Sequence, residues 1–164
     1  MSKIQLRRLC AADEAQFIAS SKRSRRLHKP WVSPPLNHEQ FANYVGRFST
    51  PASFGFMVTE NEQFAGVINI SNIVRGPFQS GYLSYFAFAG FENRGLMTRA
   101  IRAAVRLAFG QLGLHRLEAN IQPDNAASIA LVKTCGFRLE GYSPRYLKIG
   151  GRWRDHERWA LLSR

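Results

Sequence analysis

Hydrophobic positions change their spacing along the chain, and each change marks a predicted element. Helical spacing predicts a helix that begins near 13 and others over 38–48, 97–112 and 126–134. Alternating or continuous apolar runs predict strands near 4–9 and over 54–59, 64–70, 81–90, 115–121, 137–149 and 152–162. This order indicates an α/β (α+β) fold in one domain over 1–164, with a mixed sheet of about seven strands covered by about four helices.

Turn residues separate these elements at the expected places. Glu60–Gln63 suits a hairpin turn between two of the strands, and Gly150-Gly151 suits another between the last two. Pro34 and Pro35 end any preceding helix, so the first two helices are joined by a loop that carries Trp31.

Composition restricts the class of protein and its surroundings. A hydrophobic content of 45% excludes a disordered or low-complexity chain. Cys10 and Cys135 cannot form a disulfide framework and lack the spacing of a metal site, so we expect a reduced, cytoplasmic protein without a bound metal. The longest nearly apolar run, 82–91, is about half the ~20 residues that a membrane-spanning helix needs, so no membrane partner is expected.

The charge balance is strongly basic. Lys and Arg number 23 against 11 Asp and Glu, which gives a formal charge of +12. Such a field attracts nucleic acid, acidic lipid and phosphorylated cofactors alike. The basic segment 22–29 is accordingly either an RNA contact or a solvated loop.

A strand that leads through Asn93-Arg94-Gly95 directly into an amphipathic helix is the first candidate binding feature. The free N–H groups and the positive dipole end of such a helix form an anion site, to which the Thr98 hydroxyl could contribute. The alternative is that Gly95 only permits the turn.

The start of the helix over 126–134 is the second candidate feature. Asn125 is a good N-cap, and Ser128 lies in the first turn on the same side. Together these side chains could bind an extended polar ligand, although Asn125 could equally be a cap alone.

In their order along the chain, these features resemble the GCN5-related N-acetyltransferase superfamily, and most closely the ribosomal-protein N-terminal acetyltransferases. The resemblance rests on Asn93-Arg-Gly-Leu-Met-Thr98, His115-Arg-Leu-Glu-Ala-Asn120, Pro123-Asp-Asn-Ala-Ala-Ser128 with Gly136-Phe137, Glu140-Gly-Tyr142 and Gly151-Arg-Trp-Arg-Asp-His156. It implies a mostly antiparallel, twisted sheet whose two central strands splay apart around acetyl-coenzyme A (acetyl-CoA).

The resemblance also implies roles for individual residues. The backbone of Phe86, Ala87 and Phe88 would pair with the pantetheine arm, and Asn125 and Ser128 would lie near the acetyl group and the sulfur. The pyrophosphate would lie on the amides of Asn93, Arg94, Gly95, Leu96, Met97 and Thr98. Trp31 and Tyr82 would contact the acceptor.

The implied reaction is direct attack of an amine on the thioester, without an acyl-enzyme. An N–H near Phe86 would stabilise the oxyanion, and Ser128 would be the general acid for the thiolate. The base stays open among Glu118, Tyr85 and water, because Tyr82 stands where some members carry a glutamate. Cys135 is interpreted as packing, and Asp155 and His156 as a structural pair.

One departure from the family pattern concerns the phosphate loop. Glu92 stands where Gln or Arg is common, so we expect its carboxylate to point away or to pair with Arg94 or Arg99.

The expected activity is acetyl transfer to a protein N-terminal α-amine, such as that of a ribosomal protein. The alternatives are a small-molecule amine as acceptor, a basic RNA- or ribosome-binding module, and a CoA-binding module without turnover. The sequence is compatible with both a monomer and a homodimer.

Overall fold

The computed structural model describes residues 2–164, and within them eight strands form one sheet. The strand order is β1-β3-β4-β5-β6-β8-β7, with the short β2 paired to β3. The strands are β1 (Ile4–Arg8), β2 (Ser49–Thr50), β3 (Ser53–Glu60), β4 (Gln63–Val74), β5 (Ser80–Ala87), β6 (Arg116–Ile121), β7 (Arg138–Ile149) and β8 (Arg152–Leu162). The mixed sheet predicted from the element order and the mostly antiparallel pairing implied by the resemblance are confirmed.

Helices cover both faces of the sheet. They are α1 (Glu14–Arg23), α2 (Arg25–His28), α3 (His38–Arg47), α4 (Leu96–Gly110) and α5 (Ala126–Thr134), with a 3₁₀ turn at Ala11–Asp13. The sequence predicted the four longer helices, whereas α2 and β2 were not predicted, because a polar run and a two-residue strand carry no periodic signal. None of the helices within residues 2–164 has the length and apolar composition needed to cross a membrane.

Two cores lie on opposite faces because successive strand residues point in opposite directions. In β4, Ile68 and Ile70 pack with the α4 stripe of Ile101 and Ala104, whereas Val67 packs with Phe17 of α1 on the other face. The predicted apolar stripe of α4 is therefore confirmed, and it fixes that helix across the centre of the sheet.

The predicted hairpin between β3 and β4 turns at Asn61 and Glu62, whose φ angles are 48° and 69°. Two consecutive positive φ angles are typical of the tight turn that matches strand twist. This turn brings Glu60, the last residue of β3, close to the start of α4, where it becomes part of the site.

The sheet opens between β5 and β6, as the resemblance implied. These strands pair in parallel, and only through Ser80–Tyr82 and Arg116–Glu118. From Leu83 onward β5 pairs with β4 alone, while β6 continues to pair with β8 up to Ile121. The upper half of β5 therefore presents an unpaired edge to a wedge-shaped opening.

Candidate active site

Two peptide groups of β5 face the opening. β5 ends at Ala87, whereas the sequence predicted a strand that reaches 90. Just beyond this end, the Phe88 N–H donates to Ala65 O of β4 at 2.9 Å. Because an antiparallel ladder alternates between its two sides, the Phe86 N–H also points to β4. The Tyr85 and Ala87 peptide groups consequently point towards β6, so they are the donors near Phe86 that an oxyanion could reach.

The segment between α1 and α3 fixes the end of β5. His28 Nε2 lies 2.7 Å from Ala87 O, and the Ala89 N–H donates to Ser24 Oγ at 2.8 Å. Since a carbonyl only accepts, the His28 Nε2 carries the proton. The His28 ring lies edge-on to Phe86 at 5.1 Å and is only 4% exposed. Burial lowers the pKa of His28, which keeps the ring neutral.

Tyr85 and Ser128 meet across the opening. Their hydroxyl oxygens lie 2.7 Å apart, and Asn125 Oδ1 accepts from the Ser128 N–H at 3.3 Å, which makes Asn125 the N-cap of α5. The structure therefore brings together three of the residues predicted from the sequence. Burial raises the pKa of Tyr85 to about 12, so its phenol is a neutral hydrogen-bond donor near pH 7.

The start of α4 is an amide-rich turn with two left-handed residues. Asn93 has φ 58° and Gly95 has φ 67°, and Gly95 is the N-cap of a 15-residue helix whose first turn contains no acidic residue. The side chains of Leu96 and Met97 are buried in the core under α4, so only their backbone is available to a ligand. Free N–H groups at a helix N-terminus favour an anion.

Glu60 anchors the cations beside this turn. Its carboxylate is buried, with 4% exposure, and lies 3.0 Å from Arg94 Nη2 and 3.5 Å from Arg99 Nη2. Of the two arrangements expected for Glu92, pairing with these arginines is wrong. Glu92 Oε2 instead accepts from the Gly90 N–H at 2.6 Å, while both arginines contact Glu60 and keep a net positive charge.

Two cavities meet at the opening. The α4-side cavity, about 430 Å³, is lined by the Asn93–Thr98 turn, Ala87 and Leu131 among others. The α3-side cavity, about 450 Å³, is lined by Tyr44 of α3 and His156 of β8 among others. Both are lined by Trp31, Val32, Tyr85, Phe86, Asn125 and Ser128. A ligand in one cavity can therefore reach a ligand in the other beside Tyr85 and Ser128.

Three predicted site residues lie apart from these cavities. Phe88 is buried in the core under α1 and α3. Tyr82 and Glu118 lie at the closed end of the opening and line a separate small cavity. There the Glu118 carboxylate accepts from Arg116 Nε at 2.7 Å, and burial raises the pKa of Tyr82 to about 12.

Other residues with candidate chemistry have structural contacts. Cys135 Sγ lies 3.8 Å from Thr98 O, and burial raises the pKa of its thiol, which suits packing and not nucleophilic attack. The expected Asp155–His156 pair is not formed. Asp155 instead accepts from Tyr142 and the Arg145 N–H, and His156 Nδ1 lies 2.9 Å from Arg154 O. Across residues 2–164 no cluster of metal-ligating side chains is found.

Sequence reasoning missed two residues that shape the site, His28 and Glu60. His28 lies within a basic run typical of a solvated loop, and Glu60 ends β3 just before a hairpin turn. Neither position carries a local signal, because both act on residues more than thirty positions away along the chain.

The fold and this site define a class of acyl-transferring enzyme, and comparison with known proteins identifies the family. The family model for the acetyltransferase (GNAT) domain matches residues 3–138, so the chain belongs to that family. The acetyltransferase activity predicted from the sequence is confirmed at the level of the family.

Named relatives agree with this assignment. The chain is 41% identical to the Escherichia coli [ribosomal protein uS5]-alanine N-acetyltransferase over 150 residues, which cover 85% of this chain and 77% of that one. It is 34% identical to the probable N-acetyltransferase YjcK of Bacillus subtilis over 110 residues, covering 67% of this chain and 61% of YjcK.

Among solved structures, Mycobacterium smegmatis RimJ in complex with CoA-disulfide superposes with a TM-score of 0.89 at 24% identity. The superposition covers 98% of this chain and 82% of that one. At this identity the likeness bears on the fold alone.

Proposed function

We propose that this protein transfers the acetyl group of acetyl-CoA to the α-amine at the N-terminus of a protein. The observation that carries the proposal is the meeting of the two cavities at Tyr85 and Ser128, in the opening between β5 and β6. One cavity suits a phosphorylated donor, and the other is left for an acceptor.

The α4-side cavity would hold the donor. Its pyrophosphate would accept hydrogen bonds from the amides of the Asn93–Thr98 turn, with Arg94 and Arg99 close by. The unpaired edge of β5 offers the Tyr85 carbonyl and one of the Tyr85 and Ala87 N–H groups to the amides of the pantetheine arm, which leaves the other N–H for the oxyanion, while His28 occupies the Ala87 carbonyl.

The transfer step uses the groups at the opening together with water. The neutral amine attacks the thioester carbonyl, an N–C bond forms, and the oxyanion is stabilised by the Tyr85 or Ala87 N–H. Collapse then breaks the C–S bond. The hydrogen-bonded pair of Tyr85 and Ser128 supplies a proton to the departing thiolate, as a phenol with a pKa of about 12 can do. The attacking nitrogen loses one proton to water, and the pair regains its proton from water, so the products are an amide and a thiol.

The acceptor side favours an amine that loses its proton easily. No carboxylate from residues 2–164 lines the α3-side cavity, and Glu118 is paired with Arg116 outside it. Without an adjacent anionic base, the amine releases its proton to water in the cavity. An α-amine, with a pKa of about 7.7–8.0, has a useful neutral fraction near pH 7, whereas a lysine amine at about 10.4 does not.

Two further observations support a protein N-terminus. Asn120 lines the α3-side cavity, and its Oδ1 is buried without a hydrogen-bond partner in the described chain, so it offers a neutral acceptor to an N–H group. The 41% identical relative from Escherichia coli is named for the alanine of ribosomal protein uS5.

The test uses two peptides that both contain lysine, one with a free α-amine and one with that amine blocked. After incubation with acetyl-CoA, we expect mass spectrometry to find one acetyl group, on the α-amine of the free peptide only. Acetylation of the blocked peptide on lysine, or of neither peptide, would contradict the proposal.

A further inference from the structure

On the acceptor side, basic residues line the walls of the α3-side cavity and of the groove next to it. A groove lined by residues between Ser21 and Arg47 adjoins the α3-side cavity, and the two share Val32, Tyr44 and Arg47 among others. Four cations line them, and we call these the basic rim: Arg25, Lys29, Arg47 and Lys148. No acidic residue within 2–164 lines either one.

The basic rim is available to a ligand. All four side chains belong to exposed residues, and none takes part in an ion pair within the described chain. Arg47 rests on the ring of Phe48, its guanidinium carbon 5.0 Å from the centroid, which limits the directions in which the charge can point. This packing leaves the guanidinium donors free for an incoming anion.

Nearby carboxylates are already engaged elsewhere. Glu118 pairs with Arg116, Asp155 accepts from Tyr142, and Glu14 contacts His38. None of these three residues lines the groove or the α3-side cavity. A second cationic group on an acceptor would meet four like charges, whereas a carboxylate would gain complementary ones.

We infer that the preferred acceptor is a peptide whose N-terminal amine is followed within its first few residues by aspartate or glutamate. The inference rests on the proposed function and narrows it. An extended peptide advances about 3.3 Å per residue, so the residues after the amine would run from the reaction centre along the basic rim. A polyamine, which has no anionic group, is correspondingly disfavoured.

The test compares three peptides of equal length with the same N-terminal residue and with Glu, Gln or Lys at positions three to five. At low salt we expect kcat/KM to fall from the Glu peptide to the Lys peptide by about tenfold, and the difference to shrink at high salt. Spermidine should be a poorer acceptor than all three peptides.

Variants of the chain make the test specific. Arg47→Gln with Lys148→Gln should bring the Glu and Lys peptides to nearly equal kcat/KM. Arg106→Gln is the matched control, since Arg106 is exposed on α4 and lines neither cavity, and it should leave the preference unchanged.

The outcomes separate this inference from the proposed function. Equal rates for the three peptides, or a preference for the Lys peptide, would overturn the inference while leaving N-terminal acetylation intact. Inhibition by an RNA oligonucleotide with no dependence on peptide charge would also overturn it, in favour of an RNA-binding rim. Acetylation of spermidine with no acetylation of any peptide would overturn the proposed function itself.

Discussion

At the scale of single residues, the pair formed by Tyr85 and Ser128 has the most constrained chemistry. The 2.7 Å contact joins the end of β5 to the first turn of α5, so each hydroxyl orients the other. A pKa of about 12 keeps the Tyr85 phenol protonated across the pH range of an ordinary assay. The pair is therefore suited to donate a proton and not to remove one.

We expect Tyr85→Phe and Ser128→Ala each to lower kcat by about ten- to a hundredfold, which is less than the ~10²–10⁴-fold usual for a general acid because a thiolate leaves readily. The KM for acetyl-CoA should change little. The double variant should be no worse than the poorer single variant, since the two hydroxyls act as one unit. Steady-state kinetics measures all three.

Tyr142→Phe is the control for those substitutions, because Tyr142 is an exposed tyrosine of β7 whose hydroxyl donates a hydrogen bond to Asp155 of β8. It should retain full activity. Single variants of Tyr85 and Ser128 that also keep kcat within about twofold would exclude the pair from proton transfer.

His28 gives a pH dependence of stability at the same scale. Burial lowers its folded-state pKa below the ordinary value of about 6.5. Between these two values the unfolded chain binds more protons, so the free energy of unfolding is greatest above about 6.5 and falls as the pH drops towards the folded-state pKa. We expect urea midpoints to show this loss, and the loss to be smaller in His28→Gln.

His115→Gln serves as the comparison, since His115 is exposed at the start of β6. It should follow the wild-type pH dependence. Parallel curves for the wild type and His28→Gln between pH 5 and 8 would show that His28 is not buried in its neutral form.

At the scale of elements, the start of α4 is the proposed anion site. Gly95 is the N-cap with φ 67°, and no atom lies within 4 Å of a Cβ placed there, so a side chain would extend into the open space. Gly113, beyond the end of the same helix, has φ 66° and equally open surroundings. The two glycines have the same conformational requirement, but only Gly95 lines the α4-side cavity.

We expect Gly95→Ala and Gly113→Ala each to destabilise the protein by about 1 kcal/mol, the cost of a left-handed alanine. Only Gly95→Ala should also weaken the binding of acetyl-CoA, because the added Cβ would occupy space in the α4-side cavity next to the backbone amides of the Asn93–Thr98 turn. Denaturant titration and calorimetry separate the two effects. Equal affinity for acetyl-CoA in both variants would place the pyrophosphate elsewhere.

The helices and strands could be predicted from the sequence more directly than their arrangement. The period of α4 and the apolar runs of β3 and β4 predicted those elements because their side chains repeat at the spacing of the structure. The opening between β5 and β6 is different. It depends on the pairing of β8 with β6 and not with β5, and no local pattern encodes such a long-range pairing. The splayed strands were reached through the family resemblance.

The candidate site divides in the same way. Asn125, Ser128 and Gly95 could be found because capping and left-handed turns select particular residue types locally. Glu60 and His28 could not be found, because their partners are distant in sequence and meet them only through the sheet. Glu92, which is conspicuous in the sequence, has a purely local contact with Gly90.

At the scale of the whole molecule, a charge of +12 acts on every anion near the surface. Four of the eleven carboxylates lie beside arginines, namely those of Asp13, Glu60, Glu118 and Glu140. The uncompensated charge near the opening would draw in both a phosphorylated donor and an acidic acceptor. Attraction alone does not make an enzyme, so the decisive property is that the two cavities meet.

The measurement that tests this property most directly is titration calorimetry with a conjugate in which the sulfur of CoA is joined, through an acetyl bridge, to the α-amine of a peptide. Because the cavities meet at Tyr85 and Ser128, the conjugate should bind about 10²–10⁴ times more tightly than CoA, while ATP, a polyanion without the pantetheine arm, should bind more weakly than CoA. A conjugate that binds no more tightly than CoA would contradict a shared reaction centre in the opening between β5 and β6.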